Sequence, residues 1–228
     1  MNLFSYLLNE QNWSGQDGMG QLLLVHLYYT GLSVLAAAVI AIPLGILIGH
    51  TRRGSFLVIG ASNAARAIPS LGLLVLVVLL LGTGSFPIIL VLAVLAMPSI
   101  LTATTAGVEG ADPDAVYSAR ALGMSGGQVI RQVEWPLALP LVISGLRSAT
   151  LQVVATAIVA AFAAGSGLGR LLIAGQRTND YSQMFAGAVL VAALAIVLDV
   201  VLGGLGLLAS RRARPKRKIM AGTVPVAA

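Results

Sequence analysis

Five runs of apolar residues, at about 22–48, 56–81, 86–105, 139–164 and 183–209, constrain this chain more than any motif in it. A helix needs roughly 20 apolar residues to cross a hydrocarbon core, and each run is long enough to cross, with tilt where it is longer. The reading is an all-α polytopic membrane protein with about five transmembrane helices. Composition agrees: 57% of residues are hydrophobic and 10% are charged, whereas soluble domains carry nearer a quarter of charged residues. Pro43 and Gly45 are expected to bend the first span, and the second carries Pro69 as well as Asn63, Arg66 and Ser70.

The charges between the runs set a topology. Arg52, Arg53, Arg120, Arg131 and the basic residues from Arg211 to Lys218 fall on one side of a five-span arrangement, and only Arg170 and Arg177 fall on the other. Cytoplasmic segments collect arginine and lysine, so the N-terminus is expected outside and the C-terminus in the cytoplasm. Three regions follow: an extracytoplasmic segment 1–21, a transmembrane domain 22–209, and a basic cytoplasmic tail 210–228 expected to be disordered. Segment 1–21 lacks the basic start and longer apolar core of a signal peptide. The same basic residues give a pI near 10.3, which topogenic charge explains without nucleic acid.

One stretch interrupts the apolar pattern with readable local chemistry, about residues 112–136. Asp112 can cap a helix whose first residue is Pro113, where the missing N–H costs nothing. That helix runs to about Leu122 and stops at Gly123, which accepts a left-handed backbone. Ser125 and Gln128 have the spacing of a capping box for a second helix. Trp135-Pro136 is expected to end it, because the residue before proline avoids helical geometry. Ala115, Ser118, Ala119 and Leu122 on the first helix, and Val129, Ile130 and Val133 on the second, have the spacing of faces on which another protein could pack.

This stretch resembles the EAA loop of permease subunits of bacterial ABC importers. Ala119, Gly123 and Pro136 match that signature, Val133 is a mild change, and Tyr117 stands where the family usually has glutamate. The wording from Pro113 through Gly145-Leu146-Arg147 is most similar to the glycine betaine/carnitine/choline permeases. The resemblance implies the type I importer permease fold, with the loop as a helix-turn-helix coupling element docked on a cytoplasmic ATPase. The implied contact residues are Ala115, Tyr117, Ser118, Ala119, Leu122, Gly123, Met124, Val129, Val133 and Pro136. The implied partners are cytoplasmic ABC ATPase subunits, a second permease copy or paralogue, and an extracytoplasmic substrate-binding protein, in a setting of membrane lipid.

Inside the spans, Asn63, Arg66 and Ser70 follow three-four spacing, and Ser148, Gln152 and Thr156 follow four-four spacing. Polar groups in spans face protein or water, so these are either pathway residues or hydrogen-bonding glue between helices. Arg66, Arg147 and Asp199 all fall near mid-span. Asp199 is expected to pair with Arg66 or Arg147, leaving the other arginine toward the pathway or a partner permease. Gly165-Ser166-Gly167-Leu168-Gly169 resembles the family's periplasmic glycine motif. No lysine-serine or lysine-threonine pair follows it, so it is not a phosphate loop.

No cofactor is expected. The chain has no cysteine and two histidines, and no metal site or nucleophile–base constellation is legible; without a phosphate loop it is not the engine of uphill transport. The resemblance implies a non-enzymatic subunit that forms the translocation pathway for a quaternary-ammonium osmoprotectant (glycine betaine, choline or carnitine). An ABC permease for another small solute, such as an amino acid, is the nearest alternative. An ion-coupled secondary transporter is a further one.

Overall fold

The computed structural model describes residues 3–15, 17–164 and 166–213. The basic tail from residue 214, and Gly165 of the glycine motif, lie outside them. The described chain forms ten α-helices: α1 Ser5–Leu8, α2 Met19–Thr51, α3 Ser55–Arg66, α4 Ser70–Leu81, α5 Ser85–Glu109, α6 Pro113–Ala121, α7 Gly126–Val129, α8 Trp135–Ala164, α9 Gly169–Thr178 and α10 Tyr181–Ala213. Among the described residues four helical segments are long and apolar enough to span a membrane, or five if the bent pair α3–α4 is one span.

The bundle is built on close backbone approach. Ser33, Ala37, Ala41, Gly45 and Gly49 recur every fourth residue on α2, and all are buried. This row lies against α5: a Cβ on Gly45 would come within 2.7 Å of the Thr104 Cβ, and one on Gly49 within 2.7 Å of the Val108 Cβ. Lipid tails are as apolar as leucine, so association between spans comes from packing of this kind rather than from the hydrophobic effect. Ile88, Leu92, Ala96 and Ile100 of α5 fill the centre with Ala149, Val153 and Ala157 of α8. On α8, a Cβ on Gly145 would collide with the Ala103 side chain, so glycine is required there.

The second apolar run is not one straight helix. Its halves, α3 and α4, meet at 83°. Pro69 has extended geometry, with φ −63° and ψ 110°. Without an N–H, and with a ring that keeps Ile68 out of helical geometry, it ends α3 and starts α4. Leu73 N–H bonds to the Pro69 carbonyl at 2.9 Å, opening the new helix.

The opposite correction applies at Trp135-Pro136, where the sequence predicts a helix end. The chain continues from α7 through a π-helical turn, Ile130–Glu134, directly into α8. Trp135 N–H bonds to the Ile130 carbonyl, five residues back. Widening the turn makes room for the ring of Pro136 just beyond it, so the proline shifts the hydrogen-bond register instead of stopping the helix.

At the end remote from the amphipathic loop, α1 packs on α10, with Phe4 and Phe185 rings edge-to-face at 5.1 Å. The segment from Gly165 to Asp180 reads in sequence as a glycine-rich linker with a short apolar piece, Leu168 to Ala174; its described part is largely helix α9. Arg170 on α9 makes a two-point ion pair with Asp17 at 2.6 and 2.9 Å. Leu168 and Leu171 lie in a second core with Met19, Leu22 and Val154.

Candidate functional site

Two regions hold the residues that the sequence singles out. The first is the amphipathic loop. Asp112 Oδ1 accepts the Asp114 N–H at 2.9 Å, with Pro113 in the first turn. The helix closes at Gly123, φ +81°, where Met124 N–H bonds to the Ala119 carbonyl at 3.2 Å and Gly123 N–H to that of Arg120 at 3.0 Å. Ser125 and Gln128 form the capping box, with the Ser125 N–H donating to Gln128 Oε1 at 2.8 Å.

Tyr117 and Leu122 stand out from the loop, 76% and 82% exposed, and Ser118, Gly123 and Pro136 are exposed with them. Ala115, Met124 and Val133 are half-buried, as is Ile130. Ala119 and Val129 are turned inward and buried, so within this subunit they seat the loop rather than offer a surface. The turn at Gly123 folds α7 back beside α6, which hides one residue of each face.

The loop is anchored by two residues that sequence reasoning did not single out as functional. Glu134, in the π-helical turn, is buried, and its Oε2 lies 2.7 Å from Nδ1 of His50 at the end of α2. A carboxylate only accepts, so that ring nitrogen carries the proton. His50, Arg52, Tyr117, Arg120 and Glu134 line one polar pocket of about 400 Å³ between α2 and α6. The pair spans 84 positions of sequence, and no local pattern announces it.

The second region is the outward face of α8 and its neighbours. Ser144 lines two grooves. One, about 230 Å³, is shared with Arg66 of α3, Ser99 and Thr102 of α5, and Ser148 of α8. The other, about 560 Å³, holds Arg147, Asp199 and a floor of Gly203, Gly204 and Gly206. Arg147 Nε and Nη2 donate to the two carboxylate oxygens of Asp199. Asp199 therefore pairs with Arg147. Arg66 has no ion-pair or hydrogen-bond partner among the described residues.

The two stripes read from sequence do not survive intact. The 83° break puts Asn63 and Arg66 on α3 but Ser70 on α4, so their spacing is not that of one helix face. Asn63 is exposed and Ser70 half-buried, and neither lines the groove that holds Arg66. Gln152 Nε2 donates to the Leu95 carbonyl at 3.0 Å, and its Oε1 accepts from Ser99. Thr156 bonds to the Gln152 carbonyl of its own helix. Gln152 thus ties α8 to α5, while Ser148 and Ser144 face outward.

A helical bundle with a capped helix-turn-helix at one end and a polar face along one helix is a pattern with known relatives. The family model for the binding-protein-dependent transport system inner membrane component matches residues 41–215. This chain belongs to that family. The permease is 34% identical over 191 residues to the glycine betaine/carnitine/choline transport system permease protein OpuCB of Bacillus subtilis, covering 84% of this chain and 86% of that one. It is 35% identical over 179 residues to the carnitine transport permease protein OpuCD of Listeria monocytogenes, 78% and 80% covered. It is 30% identical over 204 residues to the osmoprotectant import permease protein OsmW of Salmonella typhimurium, 87% and 93% covered. Among solved structures, an inward-facing MetNI methionine ABC transporter chain superposes with a TM-score of 0.74 at 22% identity, over 84% of this chain and 95% of that one. That likeness shows the type I ABC importer permease fold. The permease is thus a membrane transport subunit of an ABC importer, with osmoprotectant permeases among its relatives.

His26 is the other residue the sequence left without a role. It is fully buried in α2, and its Nε2 lies 3.1 Å from the Val154 carbonyl of α8. Gly167, in left-handed geometry, packs on its ring: a Cβ there would sit 3.3 Å from Nδ1. Both histidines of the permease are therefore joints between α2 and the segment that becomes α8. Hydropathy could not reveal this, because neither partner is near in sequence.

Proposed function

We propose that this permease lines the translocation pathway for a quaternary-ammonium osmoprotectant such as glycine betaine, choline or carnitine. The observation that carries this reading is the 34% identity to OpuCB over most of both chains. In this reading the grooves along α8 are one wall of the pathway, and a second permease copy or paralogue supplies the facing wall. Exposed polar groups inside spans need protein or water against them, and Arg66, Ser144 and Ser148 have that exposure in the single chain. Tyr117, Ser118, Leu122 and Gly123 form the surface that docks on a cytoplasmic ATPase, which supplies the energy. An extracytoplasmic binding protein delivers the cargo and does most of the selecting.

The basic residues support a cytoplasmic loop and tail and an outside N-terminus. A cysteine at Ser14 should react with an impermeant thiol reagent outside intact cells, and one at Ser118 should not; the reverse pattern would overturn this orientation. Cargo is tested by reconstituting the permease with its cognate ATPase and binding protein and measuring ATP-dependent uptake against a panel of solutes. Uptake of amino acids but no quaternary ammonium compound would overturn the osmoprotectant reading. Uptake by the permease alone, without ATP, would overturn the ABC assignment itself. Tyr117→Glu restores the family's usual residue; capture of the ATPase should then change in either direction, and unchanged capture would remove Tyr117 from the interface.

A further inference from the structure

We propose that the Arg147–Asp199 pair is a cargo subsite for zwitterions, Arg147 receiving a carboxylate and Asp199 a fixed positive charge. This rests on the osmoprotectant reading above and goes beyond it by assigning the charge type the membrane domain itself selects. The pair sits near the middle of α8 and α10, where a bare charge is expensive and ionisable groups mark pathways or partners. A pair that only held two helices together would be expected between them, shielded by side chains. Here the arginine and aspartate side chains remain 45% and 28% exposed. They form the wall of an open groove of about 560 Å³. The groove is kept bare by glycine: a Cβ on Gly203 would sit 3.7 Å from the guanidinium carbon, covering the flat face that is now free.

The chemistry of exchange favours one class of solute. A zwitterion carries both charges, so it can replace each member of the pair for the other. Its carboxylate takes the two parallel N–H donors of Arg147, the geometry arginine is built to offer, and its ammonium group moves against Asp199. No charge is left alone in a medium of low dielectric constant. A simple cation that takes Asp199 strips Arg147 of its partner and leaves it unneutralised. Aromatic faces, the usual partners of quaternary ammonium groups, do not occur among the groove's lining residues, so ionic matching is the means of recognition here.

The test is uptake by the complete transporter in proteoliposomes, with glycine betaine as the zwitterion and choline as the cation. Arg147→Gln should lower betaine uptake by about tenfold, the size of one lost charge-assisted contact, and choline uptake much less. Asp199→Asn removes the partner of the ammonium group and should lower uptake of both solutes. Misfolding also lowers both together, so Arg147→Gln decides: a loss selective for betaine identifies the subsite, and an equal loss of both solutes in that variant overturns it. Should neither variant accumulate, Ser144→Cys in the otherwise cysteine-free chain places a thiol on the groove wall. A quaternary-ammonium thiol reagent should label it, and glycine betaine should slow labelling more than choline does. Absence of labelling, or equal protection by the two solutes, overturns the proposal. Wild-type uptake of neither solute instead overturns the osmoprotectant reading on which it rests.

Discussion

Two polar pairs tie the α7–α8 segment to different neighbours, and they are made in opposite ways. At the loop end, Glu134 and His50 are sealed, with side chains 5% and 19% exposed. In mid-span, Arg147 and Asp199 lie open on the surface. The sealed pair is complete within one chain: it joins the base of the loop to the end of α2. The open pair lines a groove that is accessible in the single chain. Burial therefore separates a joint closed within the subunit from a polar pair left accessible on its surface.

Substitutions at five positions would sharpen or break this contrast. His50→Ala should have the largest effect on the isolated subunit. It strands a buried carboxylate and should cost about 1–3 kcal/mol, read as a lower unfolding temperature in detergent. His50→Gln, which can still donate, should recover part of the loss, and unchanged stability in His50→Ala would show that the pair is no seal. Gly123→Val should cost about 1–2 kcal/mol, because a β-branched residue resists the left-handed backbone. The permease should still insert while solute-stimulated ATP hydrolysis falls; undiminished hydrolysis would count against the loop as the coupling element. Ser125→Ala should cost about 1 kcal/mol through loss of the capping box, seen as faster amide exchange confined to α7. The smallest effect belongs to Asp180→Asn. Asp180 caps α10 by accepting the Ser182 and Gln183 N–H groups at 3.0 and 3.1 Å, and asparagine accepts them equally well. Uptake should be retained there and reduced in Asp199→Asn. Equal uptake in those two variants would mean that the open pair has no special place.

Much of the permease was legible without coordinates, because its governing interactions are local. Apolar run lengths mark the spans. The cap at Asp112, the turn at Gly123 and the box from Ser125 to Gln128 each depend on residues within a few positions of one another, and each forms as its residue types require. Of the face read from helical spacing, Ser118 and Leu122 are exposed, while Ala115 is half-buried and Ala119 buried. The two prolines show where local rules stop. Pro69 and Pro136 present the same covalent restriction, yet one breaks a span by 83° and the other is absorbed by a π-helical turn. The two differ in the backbone that receives them, extended at Pro69 and π-helical before Pro136, and run length and propensity do not tell them apart. The same limit governs the charges: sequence narrowed the partner of Asp199 to two arginines, and the rotation of α8 against α10 chose Arg147. It gave no sign that Glu134 would meet His50, or that Gln152 would be spent on the Leu95 carbonyl. Sequence alone determined the spans, the caps and the turn, since these are settled by a few neighbouring residues and the solvent around them. Tertiary structure decided which polar groups were consumed as joints and which were left facing outward, because that depends on how helices distant in sequence rotate to bring their small residues together.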